Sequence, residues 1–492
     1  MRDRSFAATN SFRKTMDTAE VIKGSWWSKL PDVRSVLLIC LLVGWAAVTL
    51  AQEDRRIEFR ITGAGKDTLY LANYYGNRLF YSDTAVADEN GTAVFERRGG
   101  YKAGLYALLI GTKRIEFVVN EKLIVLASDS EDPNGKLTVV SSKENDLYRE
   151  RARLMTGPNS EVALRDLARK NPGTFVAQLI EMGTEPIASP VMRADGTTDT
   201  AATRTRMCRH YWDNTHLDDP RILYAPPFQN RLDEFLAVVL PHKADSINWY
   251  IDDLIARNKG SEELTQYVVS WITTRCEGTK DPQLNVVYVH MALKYACSGT
   301  GGGPGAGWVP VDQWRGVCER ARVKAAVMVG ARTNDLLLAD TTGQKWVSMH
   351  AMPQQCVVVV FWSPHCGHCK TALPALHDEY VKQLKALDVG VFAVAETSDS
   401  TMFRDWKKFV REHDLDWVNA AVPWQVVRNP KQERKRLIPS HTTENSLNYK
   451  QTWEVAATPT FYVLDKDRRV IGKPSSINDL IRMATDHRKS GH

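Results

Sequence analysis

The chain has 492 residues, 43% of them hydrophobic and 25% charged. This is an ordinary globular balance over a length that holds about three domains of roughly 150 residues each. The formal charge of +6 is mild, and residues 1–51 carry half of that excess, so nothing in it suits a nucleic-acid binder.

Lys23, Lys29 and Arg34 precede an apolar run from Val36 to Leu50, closed by the small-x-small pattern Thr49-Leu50-Ala51. Residues 1–51 therefore read as an export signal. The run is shorter than the roughly 20 residues of a spanning helix; an uncleaved membrane anchor is the alternative. Cys40 is not a lipidation site, because Ile39 is too bulky and Cys40 lies in the middle of the run. Export places the chain at the cell envelope or in the periplasm, where disulfides form.

Residues 52–140 read as β structure. Arg56 to Ile61 and Lys66 to Ala72 alternate, and Gly63-Ala64-Gly65 and Glu89-Asn90-Gly91 supply turns. Short strands at this spacing predict a β-sandwich-like module. It has no Cys or His, and is expected to pack or dock rather than catalyse. From residue 141 to about 320 the period turns helical, through Leu147, Leu154, Leu164, Leu167, Phe235 to Leu240, Ile251 to Ile255 and Val286 to Tyr295. His210, His216, His242 and His290 lack metal-ligand spacing. Gly299 to Gly307 reads as a linker-like loop flanked by Cys297 and Cys318. Those two either bridge its ends or stay buried thiols. With Cys208, Cys276 and Cys356 they make an odd set of five, so at least one is free.

Residues 325–492 carry the chemistry. Val357 to Phe361 is a buried strand running into Trp362-Ser363-Pro364-His365-Cys366-Gly367-His368-Cys369-Lys370, and Thr371 to Leu387 follows with helical spacing around Pro374. A strand, a tight turn and a helix put Cys366 at the helix N-terminus, where unpaired N–H groups and the helix dipole favour a thiolate. Cys369 lies one turn along, within reach of a disulfide. Zinc sites use the same spacing but want a second pair of ligands, and none is present. Metal binding through Cys366, Cys369, His365 and His368 is thus the weaker alternative, and no cofactor is expected. Val389 to Ala395 reads as the next buried strand and Thr401 to His413 as a helix. The Lys- and Arg-rich stretch Trp424 to Asn448 reads as a solvated loop, or else as a surface for an acidic partner.

The strand, Trp362, the Cys-Gly-His-Cys centre, Lys370, Pro374 and Thr458-Pro459-Thr460 together resemble the thioredoxin superfamily. That resemblance makes Pro459 a cis-proline beside the dithiol, Cys366 the nucleophile and Cys369 its resolver, with His365, His368, Thr458 and Trp362 in support. The order of β module, helical middle domain and thioredoxin-like α/β domain further resembles TlpA-like envelope thiol:disulfide oxidoreductases. Tyr211-Trp212-Asp213-Asn214, Asp219-Pro220-Arg221 and Asp340-Thr341-Thr342-Gly343-Gln344 carry that second likeness. It implies disulfide-containing envelope proteins as substrates and an upstream electron-donor protein. Two acids common in such proteins are missing, since Val360 and Ala372 stand in their places; Glu396 is the nearest substitute. The rival reading is a partner-binding protein on a thioredoxin scaffold that does no chemistry.

Overall fold

The computed structural model describes residues 55–184, 189–258, 261–297 and 311–490. The predicted export signal and the glycine-rich stretch lie outside the described residues. No described helix is long and apolar enough to cross a membrane. Arg97–Tyr101 groups apart from residues 55–96 and 102–492; it is a tight turn in which the Gly100 N–H donates to the Arg97 carbonyl at 3.0 Å.

Among the described residues eight strands come first: β1 (Arg56–Thr62), β2 (Thr68–Tyr75), β3 (Arg78–Val86), β4 (Thr92–Phe95), β5 (Gly104–Ile110), β6 (Lys113–Val119), β7 (Leu123–Asp129) and β8 (Thr138–Ser141). They form two four-stranded sheets, ordered β4-β1-β7-β8 and β3-β2-β5-β6. Alternation in β1 buries Ile57, Phe59 and Ile61. The Phe59 ring meets Phe117 of the second sheet edge-on, with centroids 5.0 Å apart. β3 has no such alternation, because none of its nine residues is buried; it is held by backbone pairing to β2.

Nine helices follow among the described residues: α1 (Lys143–Met155), α2 (Ser160–Lys170), α3 (Phe175–Gly183), α4 (Thr200–His210), α5 (Pro226–Glu234), α6 (Ala244–Arg257), α7 (Glu262–Cys276), α8 (Pro282–Met291) and α9 (Val311–Ala325). The second sheet and these helices share one core, in which Tyr74, Leu105 and Val118 join Phe175, Phe228 and Ile251. β5 is apolar along nearly its whole length because both of its faces are covered. Asn145 in α1 closes the edge of β6, its amide accepting from the Val118 N–H and donating to the Val118 carbonyl, both at 2.8 Å. Buried Glu144 accepts from the Phe175 and Val176 N–H groups at 2.8 and 3.1 Å, which neutralises the positive end of α3. Cys297 and Cys318 form a disulfide that ties the end of the α8 segment to α9. Cys208, Cys276 and Cys356 are buried thiols, each with its pKa pushed up by burial.

The third sheet has seven strands: β9 (Leu337–Asp340), β10 (Trp346–Ser348), β11 (Cys356–Trp362), β12 (Val389–Ala395), β13 (Val418–Ala421), β14 (Thr460–Leu464) and β15 (Val470–Gly472). Their order is β10-β9-β13-β12-β11-β14-β15. β11 is buried along its whole length and its side chains divide by parity. Val358, Val360 and Trp362 face one side with Leu373, Trp406 and Leu480, from α10 (Gly367–Glu379), α11 (Ser400–Glu412) and the C-terminal helix Ile477–Lys489. Val357, Val359 and Phe361 face the other.

What covers that second side departs from the expectation of a solvated loop. Residues 424–452 fold into α12 (Trp424–Arg428), α13 (Pro430–Leu437), α14 (Glu444–Leu447) and α15 (Tyr449–Thr452); the C-terminal helix is α16. Val426, Leu437, Leu447, Tyr449 and Trp453 go into the sheet, while Lys431, Lys435 and Arg436 stay exposed. The apolar residues are few and widely spaced, so periodicity hides them, but all join one buried cluster with Phe361. Tyr449 stacks on Phe361, the rings 5.4 Å apart and inclined by 5°.

Candidate functional site

β11 ends at Trp362 and α10 begins at Gly367, so the chain turns at the carboxyl end of a central parallel strand. Cys366 is the N-cap of α10, in extended conformation, and is partly exposed. Cys369, one turn along, is fully buried against Leu373 and Trp362. Both are thiols. The Thr458–Pro459 peptide is cis, and the Cys366 thiol donates to the Thr458 carbonyl at 3.3 Å.

The two sulfurs differ in acidity. Burial works against a Cys366 thiolate, but hydrogen bonds with the Cys369 and Thr458 side chains, and from the backbone N–H groups of Cys369 and His368, outweigh it. The Cys366 pKa therefore falls below its ordinary value. Burial, followed by the hydrogen bond to Cys366, pushes Cys369 up to about 12. The arrangement sets an accessible, acidic sulfur beside a buried one held protonated, and so can attack a disulfide and then close on itself.

The supporting residues separate into two groups. Thr458 meets Cys366 through its carbonyl, and the peptide that joins it to Pro459 is the cis one. Trp362 is buried core beneath the motif, its ring 5.1 Å from Phe409. His368 acts on Cys366 through its backbone N–H, and its side chain is exposed. His365 pairs with α11, its Nε2 2.9 Å from Asp405 Oδ2. Glu396 donates its N–H to the Trp362 carbonyl at 2.8 Å, but its carboxylate pairs with Lys450. Val360 is buried, and the strand and helix bring no carboxylate at their positions 360 and 372. Asp405 and Lys450 were not legible as site residues, because they lie 40 and 54 positions from their partners and belong to no motif. Among the described residues no group of three or more His, Cys, Asp or Glu is placed to hold a metal ion.

Residues 329–472 match the AhpC/TSA family. No curated protein matches the chain. Among solved structures the chain is similar to a thioredoxin-like protein from Bacteroides caccae, at 15% identity and a TM-score of 0.39, over 62% of this chain and 100% of that one. It is also similar to the thioredoxin domain of a thiol-disulfide oxidoreductase from Bacteroides vulgatus, at 18% identity and a TM-score of 0.26, over 32% of this chain and 96% of that one. A thiol:disulfide interchange protein from Bacteroides sp. matches at 18% identity and a TM-score of 0.26, over 34% and 93% of the two chains. With its sheet, its cis-Pro loop and its dithiol, the segment that matches the AhpC/TSA family is a thioredoxin-like oxidoreductase domain.

Proposed function

We propose that this protein is an envelope thiol:disulfide oxidoreductase of the TlpA-like kind, acting on disulfide-containing proteins as a reductase or isomerase. Residues 52–140 are then a β-sandwich-like module, residues 141–320 a helical domain and residues 325–492 the redox domain. The observation that carries the reading is the unequal pair: Cys366 capping α10 with a lowered pKa, and Cys369 buried one turn away with a raised one.

The Cys366 thiolate attacks one sulfur of the substrate disulfide, forming a mixed disulfide and releasing the other sulfur as a thiolate that takes up a proton. Once Cys366 is bonded, its charge is gone, and two of the influences that hold the Cys369 proton, the hydrogen bond and the repulsion from Cys366, are removed. Cys369 then loses its proton and attacks the Cys366 sulfur, releasing the second substrate thiolate. The substrate gains two electrons and two protons, the Cys366–Cys369 pair becomes a disulfide, and an upstream dithiol protein reduces it again.

Cys366→Ser is expected to abolish reduction of a model protein disulfide such as insulin. Cys369→Ser should instead accumulate mixed disulfides, seen as reductant-sensitive bands on non-reducing gels. Retained activity in Cys366→Ser would overturn the assignment of the nucleophile.

A further inference from the structure

The exchange reaction leaves unused a cavity of about 440 Å³ lined by Arg332, His350, Lys466, Asp467, Arg468 and Arg469. Four fixed cations there face one carboxylate. The backbone forces two of the arginines together. The Thr333 N–H donates to the Arg468 carbonyl at 3.0 Å and the Val470 N–H to the Ala331 carbonyl at 2.9 Å, so Arg332 and Arg469 stand opposite each other in an antiparallel bridge. Such a pair, lying between the hydrogen bonds, carries its side chains on one face at closest approach, and like charges so placed repel. Arg469 gives one N–H to the Gly330 carbonyl at 3.0 Å. Arg332 and Lys466 are exposed, with no hydrogen bond or ion pair from their side chains among the described residues.

Arg468, next in the chain to Arg469, is only 5% exposed. Its Nη1 donates to the Gln354 carbonyl at 3.1 Å and to the Asp465 and Lys466 carbonyls at 3.2 Å, and its Nη2 to the Met352 carbonyl. Its Nε, like Nε2 of His350, has no hydrogen-bond partner among the described residues. The nearby carboxylates are engaged elsewhere. Asp465 accepts from the Asp467 and Arg469 N–H groups, both at 2.8 Å. Asp335 accepts from the Ser348 hydroxyl at 2.7 Å and the His350 N–H at 2.8 Å. With Asp467 they act on Arg468 only through space. A buried charge is ordinarily paired, and among the described residues no carboxylate pairs with this one.

We propose that this cavity binds a phosphate group, free or as a monoester, which serves as the counter-ion of Arg332, Lys466, Arg468 and Arg469. The lining decides the class of occupant. Sites for apolar small molecules are built mostly of hydrophobic and aromatic side chains, and here every lining residue is charged or an imidazole. A cation would be repelled, and a single carboxylate would leave most of the positive charge unmatched. A phosphate dianion offers several oxygens at once to guanidinium forks and an ammonium. The cavity lies at the turn between β14 and β15, whereas the cis-Pro loop precedes the opposite end of β14. The four steps from Thr460 to Leu464 span about 14 Å, so occupancy is expected to leave disulfide exchange untouched.

The test is isothermal titration calorimetry of the full chain with inorganic phosphate and with glycerol 3-phosphate, the ionic strength held constant with chloride. One site with a Kd of about 1 mM or below is expected. Tighter binding of the ester assigns a phosphate carried on an organic group, and tighter binding of phosphate itself assigns the free ion. Arg332→Gln and Lys466→Gln, both at exposed positions and each checked by circular dichroism, should raise that Kd about tenfold, the loss of one charge-assisted contact. Lys431→Gln removes the same charge on α13 and should leave it unchanged. All three variants should reduce insulin at the unmodified rate, so the site and the exchange reading are judged separately. Neither anion binding the unmodified protein, an unchanged Kd in both folded variants, or an equal loss in Lys431→Gln would overturn the site.

Discussion

Two cysteines three positions apart differ here because one caps a helix and the other lies inside the fold. The first half of that contrast was legible: an apolar strand, a tight turn and a helical period place Cys366 at an N-terminus. The second half needed the packing of Trp362, Leu373 and Leu376 around Cys369. A pH-dependent consequence follows. The thiolate is the reactive form, so iodoacetamide labelling of Cys366 should rise with pH through a midpoint below that of an ordinary cysteine, roughly 8.5. Cys369, pushed up to about 12, should remain unlabelled at neutral pH. Mass spectrometry of labelled peptides across pH 5–9 checks both, and equal labelling of the two sulfurs near neutrality would contradict the asymmetry.

At the scale of elements, the informative stretch is residues 424–453. Its Lys and Arg content conceals a small set of anchors, and the four short helices exist because the odd-numbered face of β11 must be covered. Isolated helices of this length do not hold themselves together in water, so tertiary burial sustains them. Leu437, 1% exposed, packs into that core. Leu437→Ala is therefore expected to destabilise the redox domain by about 2–5 kcal/mol, while Lys431→Ala on the exposed side should change stability by no more than about 0.5 kcal/mol. Urea denaturation of the two variants measures this; equal, small effects would mean that the segment is the solvated loop its composition suggests. β3 carries the complementary lesson, because a strand with no buried residue leaves no alternation to read.

For the whole molecule, α9 is the joint. The Cys297–Cys318 disulfide ties it to the helical core, Lys324 reaches across to Glu454, and Val327, just beyond its end, is buried in the core of the third sheet. The strand–motif–helix unit nevertheless lies wholly within residues 325–492, together with all seven strands of its sheet. Expressed alone, that fragment should reduce a short model disulfide at about the rate of the full chain. Insulin-reduction assays of both proteins decide it. A folded fragment that reduces nothing would show that the preceding residues contribute to the chemistry itself.

The sequence by itself determined what is local. β11 reads from its unbroken apolar run, α10 from its period, Cys366 as a cap from the junction between them, and the first module from its alternation and turns, since each rests on neighbours within a few positions. Only the tertiary structure decided which groups meet: His365 and Asp405 across 40 positions, Glu396 and Lys450 across 54, and Cys297 with Cys318 among five candidate cysteines. The physical reason is the same in each case. A strand or a helix follows from the period of its own residues, but a contact between distant side chains follows from how the finished sheet and its covering helices fill space, and no short window of sequence contains that packing.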